Sequence, residues 1–112
     1  MQTVIETKTG WMIRCFKCGS HEFPKAKTPG KSWSFDGNME EPTFTPSMNE
    51  TVGPFPEDSQ WTGQIRRCHF TVQTGLIIYH ADCSHEMRGI HQLKPWTQPE
   101  IDYYKGLLEQ LS

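Results

Sequence analysis

The chain has no uninterrupted apolar run approaching the roughly 18 residues that a membrane-crossing helix demands, so a membrane span is not expected. Positive charge is not in excess either. Its 11 Lys and Arg against 13 Asp and Glu give a net charge of -2, and the pI is near 6.2. The basic stripe that duplex phosphates require is therefore missing, and duplex nucleic acid is disfavoured as a partner apart from a local patch at Arg66 and Arg67. The opening "MQTVIETKTGW" lacks a basic region followed by an apolar stretch, which leads to the expectation of a cytoplasmic protein. Two enzyme signatures are missing as well: there is no His-Glu-x-x-His, and no His-x-Glu with Pro-Cys-x-x-Cys, since Arg14 and not Pro precedes Cys15.

What is present is aromatic and rich in soft ligands. Hydrophobic residues make up 35% of the chain and mean hydropathy is -0.65, yet there are six Phe, four Trp and three Tyr. At 112 residues the length fits one domain, 1–112, small enough for a metal staple to matter. In a reducing compartment Cys15, Cys18, Cys68 and Cys83 are expected as metal ligands and not as two disulfides.

The chain reads as β structure followed by one helix. "TVIET" and "WMIRCF" form a hairpin ending in "CFKCG", the tight Cys-x-x-Cys-Gly turn of a zinc knuckle, in which Gly19 supplies positive φ so that amides can point at thiolate sulfur. "SWSF" and "TFTPSM" are short extended segments, the second placed at an edge because of Pro46. Residues 49–63, with two Pro and two Gly, are expected as a long loop. "RCHFTV" and "LIIYH", joined by "QTG", form a second hairpin; pairing Val72 with Leu76 sets Cys68 opposite His80, and alternation turns Cys68, Phe70 and Val72 to the core face. Thr97 and Glu100 form a capping box for a helix from about Pro99 to Leu111, whose stripe is Ile101, Tyr104, Leu107, Leu108 and Leu111. The fold class is thus α+β: a small, mostly antiparallel sheet with hairpins and a zinc knuckle, closed by one C-terminal helix.

Zn²⁺ is the expected ion because it takes four tetrahedral N or S ligands. The simplest closed set is Cys15, Cys18, Cys68 and Cys83; a Cys₃His set with His69 or His85 replacing one thiol is the alternative. His69, His85 and Asp82 cluster beside the expected ligands and, with Glu41, are the candidates for acid–base work. A second polar stretch, "WSFDGNMEEPTFTPS", offers Trp33, Asp36, Asn38, Glu41, Thr43 and Ser47 as candidate binding residues, although a Asp-Gly-Asn turn explains part of it.

"CFKCG", "WSFDGNMEEPTFTPS", "CHFTV" with "TGLIIY", and "DCSHEM", in that order, resemble a family of short uncharacterised proteins of tailed phages, prophages and some bacteria. The likeness covers residues 11 to about 90, with Phe16 where Pro is common and His21 one residue early. It implies a metal-site set of Cys15, Cys18, Cys68, His69, Cys83 and His85 with Asp82 beside it. It also implies a second motif of Trp33, Gly37, Asn38, Pro42, Thr43, Pro46 and Ser47, and supplies no reaction. Phage accessory proteins commonly act on host machinery, so a protein partner, including one from the host, is the expected ligand of the polar loops. Two functions from different classes follow: a zinc-stabilised binding module, or a zinc-dependent hydrolase or deaminase of a small or nucleotide substrate with His69, His85 or Asp82 moving protons. Single-strand nucleic-acid binding through exposed aromatic rings ranks third.

Overall fold

The computed structural model describes residues 1–52 and 66–110, with backbone alone for residues 52 and 108–110. Among the described residues eight strands precede one helix: β1 Val4–Glu6, β2 Gly10–Cys15, β3 Gly19–Pro24, β4 Ser34–Phe35, β5 Phe44–Val52, β6 Arg66–Gln73, β7 Leu76–Tyr79, β8 Gly89–Gln92 and α1 Gln98–Gln110. The expected single sheet is two sheets, β1-β2-β3 and β4-β5-β6-β7-β8, with every described pairing antiparallel. Among the described residues no helix is long and apolar enough to cross a membrane.

One core joins the two sheets. Ile13, Cys15 and Phe23 from the first meet Phe44, Met48, Cys68, Phe70, Val72, Ile77 and Tyr79 from the second. Its centre is aromatic: Phe23 stacks on Phe44 at 4.0 Å between centroids, and Phe70 meets Phe23 edge-on at 6.0 Å. Large flat rings thus fill the volume that a chain poor in aliphatic residues would otherwise leave open. The helix covers a smaller cluster of Ile5, Met12, Trp96 and Ile101. Its cap is the expected one: Thr97 N–H donates to Glu100 Oε1 at 3.0 Å and Glu100 N–H to Thr97 Oγ1 at 3.3 Å. Arg14 ties the helix down, pairing with Glu100 at 2.6 Å while its guanidinium lies over Trp96 at 4.2 Å. Thr97 N–H and Arg14 together hold the Glu100 carboxyl down at about 2. Of the expected stripe, Ile101 is buried and Leu107 exposed; the Leu108 side chain and Leu111 lie outside the described residues.

Three expectations need correction. The β6–β7 register is one residue from that expected: Val72 pairs with Ile77 and Phe70 with Tyr79. The turn holds two residues, Thr74 and Gly75, both at positive φ (49° and 78°), as a tight right-twisted hairpin requires. Asn49–Val52 belong to β5 and not to a loop, whereas residues 53–63 of that expected loop lie outside the described residues. Pro46 sits in a strand flanked on both sides. β5 spends four residues from Phe44 to Met48 where β6 spends two from Val72 to Phe70, and this bulge tolerates the missing N–H.

Candidate functional site

Cys15 ends β2, and the turn to Gly19 (φ 92°) folds its sulfur under two amides: Lys17 N–H at 3.5 Å and Cys18 N–H at 3.4 Å. Alternation on β6 brings Cys68 to the same point, its sulfur 3.8 Å from that of Cys15, and His85 Nε2 lies 3.3 Å from the Cys68 sulfur. Donor atoms of Cys15, Cys18, Cys68 and His85 all lie within 4.8 Å of one another. Sulfurs bound tetrahedrally at about 2.3 Å stand about 3.8 Å apart, so the four residues could hold one metal ion.

Cys83 is not in that group. Its Sγ donates to the His69 carbonyl at 3.2 Å and receives the His69 N–H at the same distance, because the chain beyond β7 turns it back onto β6. The geometry therefore assembles the Cys₃His set with His85, and not the four thiols.

Around the cluster, hydrogen bonds from Cys18 and Cys68 hold the Cys15 thiol well below its ordinary value, while the contacts with Cys15 and Cys18 push Cys68 up. Burial opposes charge on His21, yet its neighbours Cys15, Cys18 and Glu50 outweigh burial and raise it to about 11. His21 Nδ1 is paired with Glu50, while among the described residues its buried Nε2 has no hydrogen-bond partner of ordinary geometry. A proton on that nitrogen, next to thiolates, is the outer support that metal-bound sulfur needs. Met87 N–H stands 3.2 Å from His85 Nδ1; holding a metal on Nε2 puts the ring proton on Nδ1 and exchanges that contact for the coordinate bond.

The opposite face of the second sheet carries a different constellation. His69, on β6 next to Cys68, points away from the core. Its Nδ1 lies 3.0 and 3.2 Å from the two carboxylate oxygens of Asp82, and its Nε2 lies 3.2 Å from Ser47 Oγ. A carboxylate can only accept, so Nδ1 bears the proton and Nε2 is left to accept from the serine hydroxyl. Partial desolvation works against the Asp82 charge, but the His69 hydrogen bond and nearby Arg67 hold its carboxyl below the ordinary value. Ser47 comes from the β5 bulge, which frees it from the regular ladder, and Trp33 Nε1 donates to its carbonyl at 3.3 Å. Serine, imidazole and carboxylate in one hydrogen-bonded line can activate an alcohol oxygen as a nucleophile.

The other candidates are placed elsewhere. Asp36 accepts from Asn38 and Thr43 N–H, Asn38 from Glu40 and Glu41 N–H, and Thr43 Oγ1 from Thr74 N–H, so this polar row builds its own turn and braces the β6–β7 hairpin. Glu41 packs beneath Gly75 at that end of the sheet, away from His69. Of the proposed acid–base residues, His69 and Asp82 come together with each other, while His85 belongs to the metal cluster. Ser47 as a nucleophile was not legible in the sequence: its neighbours give no Gly-x-Ser-x-Gly, and its link to His69 spans 22 residues.

Residues 1–80 match the family described as bacterial ubiquitination-like system serine protease (BubE), and the chain belongs to that family. The match spans the Cys15–Gly19 knuckle, the Trp33–Ser47 stretch and Cys68–His69 and ends before Asp82; its description names no phage origin. No curated protein and no solved structure matched the chain.

Proposed function

We propose that the chain is a serine peptidase of a ubiquitination-like system, with Ser47 as nucleophile, His69 as general base and acid, and Asp82 as the group that orients His69. The observation that carries this reading is the line from Asp82 through His69 to Ser47 Oγ, with contacts of 3.0 and 3.2 Å. His69 Nε2 takes the Ser47 proton as Oγ bonds to a carbonyl carbon; it then gives that proton to the departing amine, and water releases the acyl group by the same steps in reverse order. The family description supports an amide bond of a ubiquitin-like modifier, in a precursor or a conjugate, as the bond cut.

Zn²⁺ is assigned to Cys15, Cys18, Cys68 and His85 as a structural ion. Three thiolates and an imidazole fill a tetrahedral shell and leave no position for water. The acid–base pair His69–Asp82 also faces Ser47 and not this cluster, which speaks against metal-activated hydrolysis or deamination. Four free cysteines support the cytoplasmic placement. The expected protein partner becomes, in this reading, the modifier itself; carriage by phage and a host target remain part of the proposal.

A fluorophosphonate probe tests the triad. Zinc-loaded protein should be labelled on Ser47 and Ser47→Ala should not; labelling of Ser47→Ala at the wild-type rate, or none of the wild type, overturns the assignment.

A further inference from the structure

The His69 ring turns about its Cβ–Cγ bond, and on the Nδ1 and Nε2 edge two hydrogen bonds, to Asp82 and to Ser47, hold it against that rotation. Both restraints are weak in particular ways. The Asp82 side chain is 44% exposed, so water competes for its oxygens. The Ser47 hydroxyl ceases to exist once its oxygen is acylated, which is when the ring must deliver its proton.

Against the face of the ring lies a second imidazole. The His69 and His80 rings are stacked 4.0 Å apart between centroids and 9° from parallel. His80 is itself held twice: its Nε2 pairs with Thr71 Oγ1 at 2.8 Å, and its backbone N–H donates to the His69 carbonyl at 2.9 Å. Thr71 stands two residues beyond His69 on the same face of β6. The restraint therefore closes on itself, with the strand that carries His69 holding Thr71, Thr71 holding His80, and His80 lying on His69. His80 is half-buried on the face away from the core and belongs to neither hydrophobic cluster, so core packing does not account for its position.

We propose that His80 is a positioning residue of the peptidase site, fixing the plane of the His69 ring through its own face; this rests on the triad reading above. It touches neither the nucleophile nor the scissile bond, and what it supplies is a flat wall. Any planar ring that fits should therefore serve, and a small side chain should not.

The test compares zinc-loaded wild type with His80→Ala and His80→Phe by the second-order rate of fluorophosphonate labelling, since so small a reagent bypasses substrate subsites. The Ala variant should react between about tenfold and a hundredfold more slowly, the range that a misplaced catalytic group produces, with Phe restoring most of the rate. Equal rates for Ala and wild type overturn the proposal, as does a Phe variant no faster than Ala. Zinc content and melting temperature, measured alongside, separate positioning from unfolding: a rate loss in Ala that tracks lost zinc or lost fold also overturns it. Unlabelled wild type, or a labelled Ser47→Ala control, refutes the triad instead and is read separately.

Discussion

Cys68 and His69 are consecutive on β6 and face opposite sides of the sheet. The first places its sulfur 3.8 Å from that of Cys15, and the second reaches Ser47 and Asp82. The same pairing recurs beyond β7, where Asp82 lies three residues before the cluster residue His85. An ion held by the cluster would thus pin from behind both segments that carry the proposed triad, without taking part in its chemistry.

Chelation is accordingly expected to remove fold and activity together. Elemental analysis should find one zinc per chain. Cys18→Ser should lose that zinc and, with several kcal/mol of folding energy gone, more than about 10 °C of melting temperature. Cys83→Ser should keep it, because the serine hydroxyl can still donate to the His69 carbonyl.

Asp82→Asn preserves shape but leaves the wrong atoms facing the imidazole Nδ1–H. Turnover should fall by about 10²- to 10⁴-fold with zinc content unchanged, measured as cleavage of a ubiquitin-like fusion.

Glu100 sets a contribution to acid stability whose sign is fixed. Thr97 N–H and Arg14 lower its folded value to about 2, beneath the unfolded one, so its stabilisation is complete above the unfolded value and disappears as pH falls. Glu100→Gln should melt below wild type near neutrality, and the gap should close between about pH 5 and about pH 2. A gap that persists in acid would mean that the cap acts without its charge.

Phe70 is fully buried between the sheets, packed against both Phe23 and His21. Phe70→Ala should cost about 3–5 kcal/mol in denaturant titrations. Gly75→Ala, forced to φ 78° with its Cβ 3.1 Å from Glu41 Cα, should cost about 1–2 kcal/mol for the backbone alone and more for the contact.

What the sequence discloses here is what is local. The Cys15-x-x-Cys18-Gly19 turn, the in–out alternation of β6 and the Thr97–Glu100 cap each depend on residues within a few positions, and the structure repeats them. The β6–β7 register differs by one from the expected pairing because Gln73 pairs with Leu76, leaving Thr74 and Gly75 alone as the turn. Choosing between Cys83 and His85 needed the path of the chain after β7, and dividing the strands into two sheets needed the Phe23–Phe44 contact across 21 positions. The polar row at Asp36, Asn38 and Thr43 was legible as turn chemistry; that it also steadies the strand leading to Ser47 was not.

The bulge between Phe44 and Met48 separates what the fold needs from what the proposed chemistry needs. Removing Pro46 and Ser47 would restore an even ladder, keep every core side chain facing inward and retire the proposed nucleophile in one event. Chains so altered would keep the Cys15, Cys18, Cys68 and His85 cluster and the same outer face without the proposed chemistry.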